Sequence, residues 1–222
     1  LPLGGAAQVQ KMLHTLVDVS AQAQLAPGRL ARSVSLGGRV TQVGGERESA
    51  QFVALVHQTL LWSGDRAFAE RARPRVYGLL QYFAPFENEY GLLEKLEKWV
   101  FVEWSRANDP DVVQDVNFPT NMLYARMLQI AGTLYSDPAL LEKSQKLHET
   151  IRQRSFNGSF FTDNERRTEQ GLVNPGNITE VCQYYAFFMG TADKQTYPEL
   201  WQTLVRDFGP HRAADCHPDV AA

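Results

Sequence analysis

The sequence predicts an all-α protein built from helical hairpins, and three observations carry that expectation. Apolar residues recur at helical spacing through most of the chain. Three tight breaks each place a small residue at the end of one helix and an aspartate before the next: Ser63-Gly64-Asp65, Ser136-Asp137-Pro138 and Gly190-Thr191-Ala192-Asp193. Between these tight turns lie long connections, at 84–119 and 154–178. Tight turns at one end of an antiparallel array leave the long connections at the other, and long ordered loops tend to carry function.

From the N-terminus, Val9, Met12, Leu13, Leu16, Val17 and Val19 predict a helix over 7–25, stopped by Pro27-Gly28. Residues 28–48 change texture, with Gly28, Gly37, Gly38, Gly44 and Gly45. Short strands at 33–36 and 40–43 fit this stretch, and so does a glycine-rich loop. Residues 1–48 are therefore expected to be an N-terminal helix with a boundary segment, 49–212 the hairpin domain and 213–222 a tail. Within the domain, helices are expected at 49–62, 67–82, 120–135, 139–154, 179–189 and 197–207. Asp65, Asp137 and Asp193 should cap the helices that follow them, and their separations are too unequal for a repeat of fixed length.

Composition excludes more than it names. The 222 residues are 44% apolar, and 22 Lys and Arg against 25 Asp and Glu give a net charge of -3. That balance argues against a nucleic-acid partner. No apolar run reaches the roughly 18–20 residues that span a membrane. Cys182 and Cys216 make neither a disulfide scaffold nor a metal-ligand pattern, and no metal or cofactor is expected. Residues 1–5 are not a signal peptide, which leaves the compartment open and favours the cytoplasm; because residue 1 is not Met, a leader could have been removed. The five histidines are scattered, and no phosphate loop, nucleophile elbow, dinucleotide fingerprint or His-Glu-x-x-His motif occurs.

The long connections hold the interesting chemistry. The first contains Trp99-Val100-Phe101-Val102-Glu103-Trp104 and Gln114-Asp115-Val116-Asn117-Phe118-Pro119-Thr120-Asn121. Aromatic faces stack on the apolar side of a pyranose, and carboxylates and amides bond its hydroxyls, so this mixture suits a sugar. The structural alternative is that the aromatics pin the loop and Glu103 pairs with Arg106. The second contains Asn157-Gly158-Ser159-Phe160-Phe161 and Asn177-Ile178-Thr179-Glu180. Asn157 and Asn177 fit turns, and Asn177 with Glu180 resembles a capping box. Glu180, Gln183 and Tyr184 share one helix face, which could point into a pocket.

Residues 97–150, which include the runs at 99–104 and 114–121 and Ser136-Asp137-Pro138-Ala139, together with 156–161, 177–190 and 207–212, resemble the catalytic domain of bacterial α-L-rhamnosidase-like proteins, glycoside hydrolase family 78. With Trp62-Ser63-Gly64-Asp65 the resemblance covers about 50–212. It implies an (α/α)6 barrel of six hairpins that hydrolyses terminal α-L-rhamnosides with inversion, one carboxylic acid protonating the leaving oxygen and another activating water. Carried over residue by residue, it assigns Glu103, Trp104, Asp115, Asn117 and Gln183 to sugar binding. Glu103 and Glu180 are the candidate catalytic pair, which would require about 6.5–9.5 Å between them. The family's general-acid motif, like Asp-Cys-Pro-x-Arg-Glu, has no counterpart before residue 50, and its later Trp-Glu general-base motif is also lacking. Seven expected helices fall short of a barrel's twelve. The expectation is therefore an incomplete barrel carrying mainly the sugar-binding face, completed by an oligomer or by the missing remainder. The alternatives are a non-catalytic helical array that binds carbohydrate or a protein partner, and a lyase or epimerase using Tyr124, Tyr184 or Tyr185 as base.

Overall fold

The computed structural model describes residues 31–34, 40–43, 46–96, 100, 102–208 and 220. The expected helix at 7–25, Trp99, Phe101, Cys216 and nearly all of the expected tail lie outside them. The described elements run β1 (Ala31–Val34), β2 (Val40–Val43), α1 (Glu46–Ser63), α2 (Arg66–Phe83), α3 (Pro110–Val113), β3 (Val116–Asn117), α4 (Phe118–Tyr135), α5 (Pro138–Ser155), β4 (Asn164–Thr168), β5 (Gly171–Val173), α6 (Glu180–Phe188) and α7 (Pro198–Asp207). They form two units. One takes the described residues up to Pro85 with Met127–Leu141; the other takes Phe86–Arg126 with the described residues from Glu142 onward.

In the first unit, β1 and β2 pair antiparallel, with Ala31 opposite Val43. Helix α1 buries Phe52, Val53 and Val56, and α2 buries Phe68, Ala72, Val76 and Leu79 at helical spacing. Gly64 ends α1 at φ +68°, and Asp65 accepts from the Phe68 amide at 2.9 Å to start α2. Between α4 and α5 the left-handed position falls to Ser136, at φ +51°. Asp137 then accepts from the amides of Ala139 and Leu140, as the sequence predicts. Its other oxygen accepts from the Tyr77 hydroxyl at 2.6 Å, which holds the carboxyl below its ordinary pKa. Gly132 allows the α4–α5 turn to close, because a Cβ there would lie 2.8 Å from Leu141 Cγ.

The second unit is organised around the first turns of α4 and α6. Buried Asp163 joins them: its carbonyl accepts from the Phe118 amide at 2.7 Å, and its carboxylate accepts from the Thr179 amide at 2.6 Å and the Thr179 hydroxyl at 2.5 Å. Each of these helices also clamps a loop with an amide side chain. Asn121 accepts from the Leu93 amide (2.7 Å) and donates to the Leu93 carbonyl (3.1 Å) and to its own i−4 carbonyl, Asn117 (2.8 Å). Gln183 accepts from the Phe161 amide (2.9 Å) and donates to the Phe161 carbonyl (2.8 Å) and to its own i−4 carbonyl, Thr179 (2.9 Å). The clamped residues each close a short bridge, Leu93 with Glu87 and Phe161 with Phe156.

Three expectations change. The connection 154–178 holds an antiparallel hairpin, β4–β5, which β3 extends to three strands with Val116 opposite Glu165. Asn177 is not a helix cap; Thr179 is, accepting from the Cys182 amide at 3.3 Å, while the Asn177 amide donates to Asn164 Oδ1 at 3.0 Å. Asp193 organises a turn by accepting from the Gln195 and Thr196 amides, and α7 starts later, behind Tyr197 with Pro198 in its first turn.

Candidate functional site

Glu103 and Trp104 project from a loop anchored underneath. Val100, Val102 and Ala107 are buried in a cluster against which Val181 and Tyr185 of α6 pack. The Val102 amide donates to Asn108 Oδ1 at 3.0 Å, and the Tyr185 hydroxyl donates to the Val102 carbonyl at 3.2 Å. The next two side chains are thereby forced outward. Trp104 is 77% exposed, and Glu103 is exposed with Oε1 accepting from the Trp104 amide at 2.8 Å. The alternative Glu103–Arg106 pair is absent among the described residues, and Arg106 lies instead 3.5 Å from Asp109 and 3.7 Å from Asp111.

Glu180 stands in the first turn of α6, buried, and accepts a short hydrogen bond from the half-exposed Tyr184 hydroxyl. The structure thus places the Glu103–Trp104 loop and the Glu180 helix against one another. The other sequence-predicted residues are engaged within the protein. Asp115 adopts a left-handed φ of +56°, and its Oδ2 accepts from the Arg167 amide at 2.9 Å and lies 3.6 Å from Arg166 Nε. Asn117 is buried and caps α4 by accepting from the Thr120 amide at 3.0 Å. Gln183 is fully buried, with its amide bound on three sides by the clamp described above.

Asp163 and Asn121 carry no role in the sequence pattern, yet both are buried and bind the backbone. Burial pushes the Asp163 carboxyl up to about 7, against the Thr179 bonds and the Arg106 charge, which act the other way. His148 is buried with Nδ1 2.9 Å from Thr191 Oγ1, and burial together with Arg152 and Arg126 lowers it to about 4. It is therefore neutral near pH 7. Tyr124 donates to Glu87 at 2.6 Å, and burial raises its pKa, so it is poorly placed to act as a base. Burial also raises the Cys182 thiol, consistent with a small core residue. Among the described residues no group of three or more His, Cys, Asp or Glu could hold a metal ion, and no helix is long and apolar enough to cross a membrane.

No family model matches the sequence, and no curated protein matches it. Solved structures do. The chain is similar to the GH78 family rhamnosidase of Bacillus sp. GL1, at 16% identity and a TM-score of 0.70, over 88% of this chain and 20% of that one. It is similar also to a rhamnosidase from Klebsiella oxytoca with rhamnose bound, at 14% identity and a TM-score of 0.69, over 88% of this chain and 37% of that one. The chain spans about a fifth of the first enzyme and just over a third of the second. At these identities the likeness is one of fold alone: this mostly helical chain resembles part of each rhamnosidase.

Proposed function

We propose that this chain is part of an inverting glycoside hydrolase for terminal α-L-rhamnosides, an incomplete (α/α)6 barrel that carries mainly the sugar-binding face. The observation that carries the reading is the Glu103–Trp104 loop seated on the helix that begins with Glu180. Trp104, 77% exposed, offers indole surface to the apolar side of a pyranose, and Glu103 offers an acceptor beside it. Glu180 and Tyr184 form a hydrogen-bonded acid–phenol pair at the first turn of α6. In an inverting reaction one carboxyl gives its proton to the leaving oxygen and the other takes a proton from the attacking water. Asp115, Asn117 and Gln183 serve this site as positioning residues, holding the loops and helix ends through the bonds already described.

The second reading is a non-catalytic carbohydrate-binding array, which the solvent-facing position of Glu103 favours. One experiment separates the two. The chain is assayed for hydrolysis of p-nitrophenyl α-L-rhamnopyranoside and titrated in parallel with L-rhamnose, followed by tryptophan fluorescence. Turnover abolished by Glu103→Gln or Glu180→Gln supports the catalytic pair. Binding without turnover supports a sugar-binding piece whose acid and base lie elsewhere. A folded sample that does neither removes the sugar reading.

A further inference from the structure

We propose a second sugar-binding site, in a cleft between the 156–160 turn and the start of α7. The cleft has a volume of about 960 Å³, and none of the sequence-predicted site residues lines it. Its size lies near the top of the ~300–1,000 Å³ range of small-molecule sites, with room for more than one sugar ring.

The floor is aromatic. Phe156 and Tyr197 meet edge to face with ring centroids 4.9 Å apart. Both rest on fully buried Phe161, at 5.0 and 5.3 Å, which fixes their outer surfaces toward the cleft. One wall is a rigid turn: Asn157 Oδ1 accepts from the Ser159 amide at 3.0 Å and the Phe160 amide at 2.9 Å. Gly158 bends it at φ +104°, and a Cβ there would meet nothing within 4 Å, so the wall leaves open space.

The rim is polar and uncommitted. Among the described residues, the side-chain oxygens of Ser159, Tyr197, Glu199 and Thr203 accept or donate no hydrogen bond and form no ion pair. Hydroxyls and one carboxylate over an aromatic floor fit a neutral polyol with an apolar face, which is a pyranose. Glu199, with no cation lining the cleft beside it, would repel an anionic ligand. The assignment to a pyranose stands on this geometry; choosing a rhamnosyl sugar as probe rests on the proposed function.

The test is an aromatic-carbon NMR titration of the whole chain with rutinose, the α-1,6-linked rhamnosyl-glucose. The ring resonances of Phe156 and Tyr197 should shift and saturate. Thr203→Val combined with Glu199→Gln, both on an α7 face that leaves the core intact, should weaken that binding about tenfold, the loss expected from one or two hydrogen bonds. Fixed Tyr197 resonances in the folded wild type, or undiminished affinity in the double variant, overturn the cleft. Trp104 reports on the other site in the same spectra. Movement of Trp104 alone overturns the cleft and keeps the proposed function. Movement of Tyr197 alone, without turnover of the p-nitrophenyl rhamnoside, does the reverse.

Discussion

Two loops of the second unit, 86–94 and 156–161, are held by the same device and used differently. Each closes a short bridge, and each is clamped at one residue by an amide from the first turn of a later helix, Asn121 of α4 on Leu93 and Gln183 of α6 on Phe161. In the first loop the acidic side chains are bound within the protein. Glu87 accepts from Tyr124 at 2.6 Å and from Lys143 at 2.5 Å, and Glu94 and Glu89 share Arg167. In the second loop the side chains beside the clamp face an open cleft. One backbone solution thus yields a closed surface when ion pairs cover it and a ligand-sized opening when they do not. Rigidity and availability are set separately, the first by a buried amide and the second by what the rim residues touch.

The largest expected effect tests the shared device. Gln183→Ala strands the buried Phe161 N–H and carbonyl, and Asn121→Ala does the same to Leu93, so each should cost about 3–5 kcal/mol in urea unfolding. A Gln183→Ala chain that keeps its stability yet loses rhamnose binding would show that Gln183 faces a ligand instead. Next comes the joint between the two helices. The folded pKa of Asp163, about 7, lies above its ordinary 3.8, so the folded state holds the proton more tightly. That contribution is complete below the unfolded value and is lost as pH rises through about 7. Asp163→Asn does not titrate, and should therefore gain on wild type by on the order of 1 kcal/mol per pH unit between pH 4 and 7. A difference that stays flat across that window would mean that Thr179 keeps Asp163 ionised throughout.

A smaller effect probes the closed loop. Tyr124→Phe removes the hydroxyl from Glu87 while Lys143 remains, and should cost about 1 kcal/mol in thermal unfolding. No change would mean that Lys143 alone holds Glu87. The smallest effect on stability belongs to the exposed face. Glu103→Gln and Trp104→Ala should each stay within about 0.5 kcal/mol of wild type while abolishing the rhamnose-induced fluorescence change. A large destabilisation would make Trp104 a packing residue.

The helices were legible because their breaks are chemical. Ser63-Gly64-Asp65 and Ser136-Asp137-Pro138 fall at helix ends in the structure as they do in the sequence pattern. The strand β4 was not legible, because Asn164-Glu165-Arg166-Arg167-Thr168 has no apolar alternation and pairs through its backbone. The loop bearing Glu103 and Trp104 could be found from its aromatic and acidic content. What the sequence could not distinguish is an amide aimed at a ligand from one aimed at a loop: Gln183 and Asn117 have the same composition signal either way, and only their burial and partners separate the cases. The cleft was invisible for the opposite reason. Glu199 and Thr203 read as an ordinary solvated helix face until the 156–160 turn is brought opposite them.

The clamps also bear on the order in which this unit opens. Surface loops usually exchange their amide hydrogens first, through small local fluctuations. Here the Leu93 amide is bound to a side chain rooted in the first turn of α4, and the Phe161 amide to one rooted in the first turn of α6. Neither loop can release that proton to solvent without disturbing the beginning of a helix, and Asp163 couples those two beginnings. The Leu93 and Phe161 amides should therefore exchange on the slow timescale of the helices rather than with their loop neighbours, so that two loops and two helix starts open as one cooperative element.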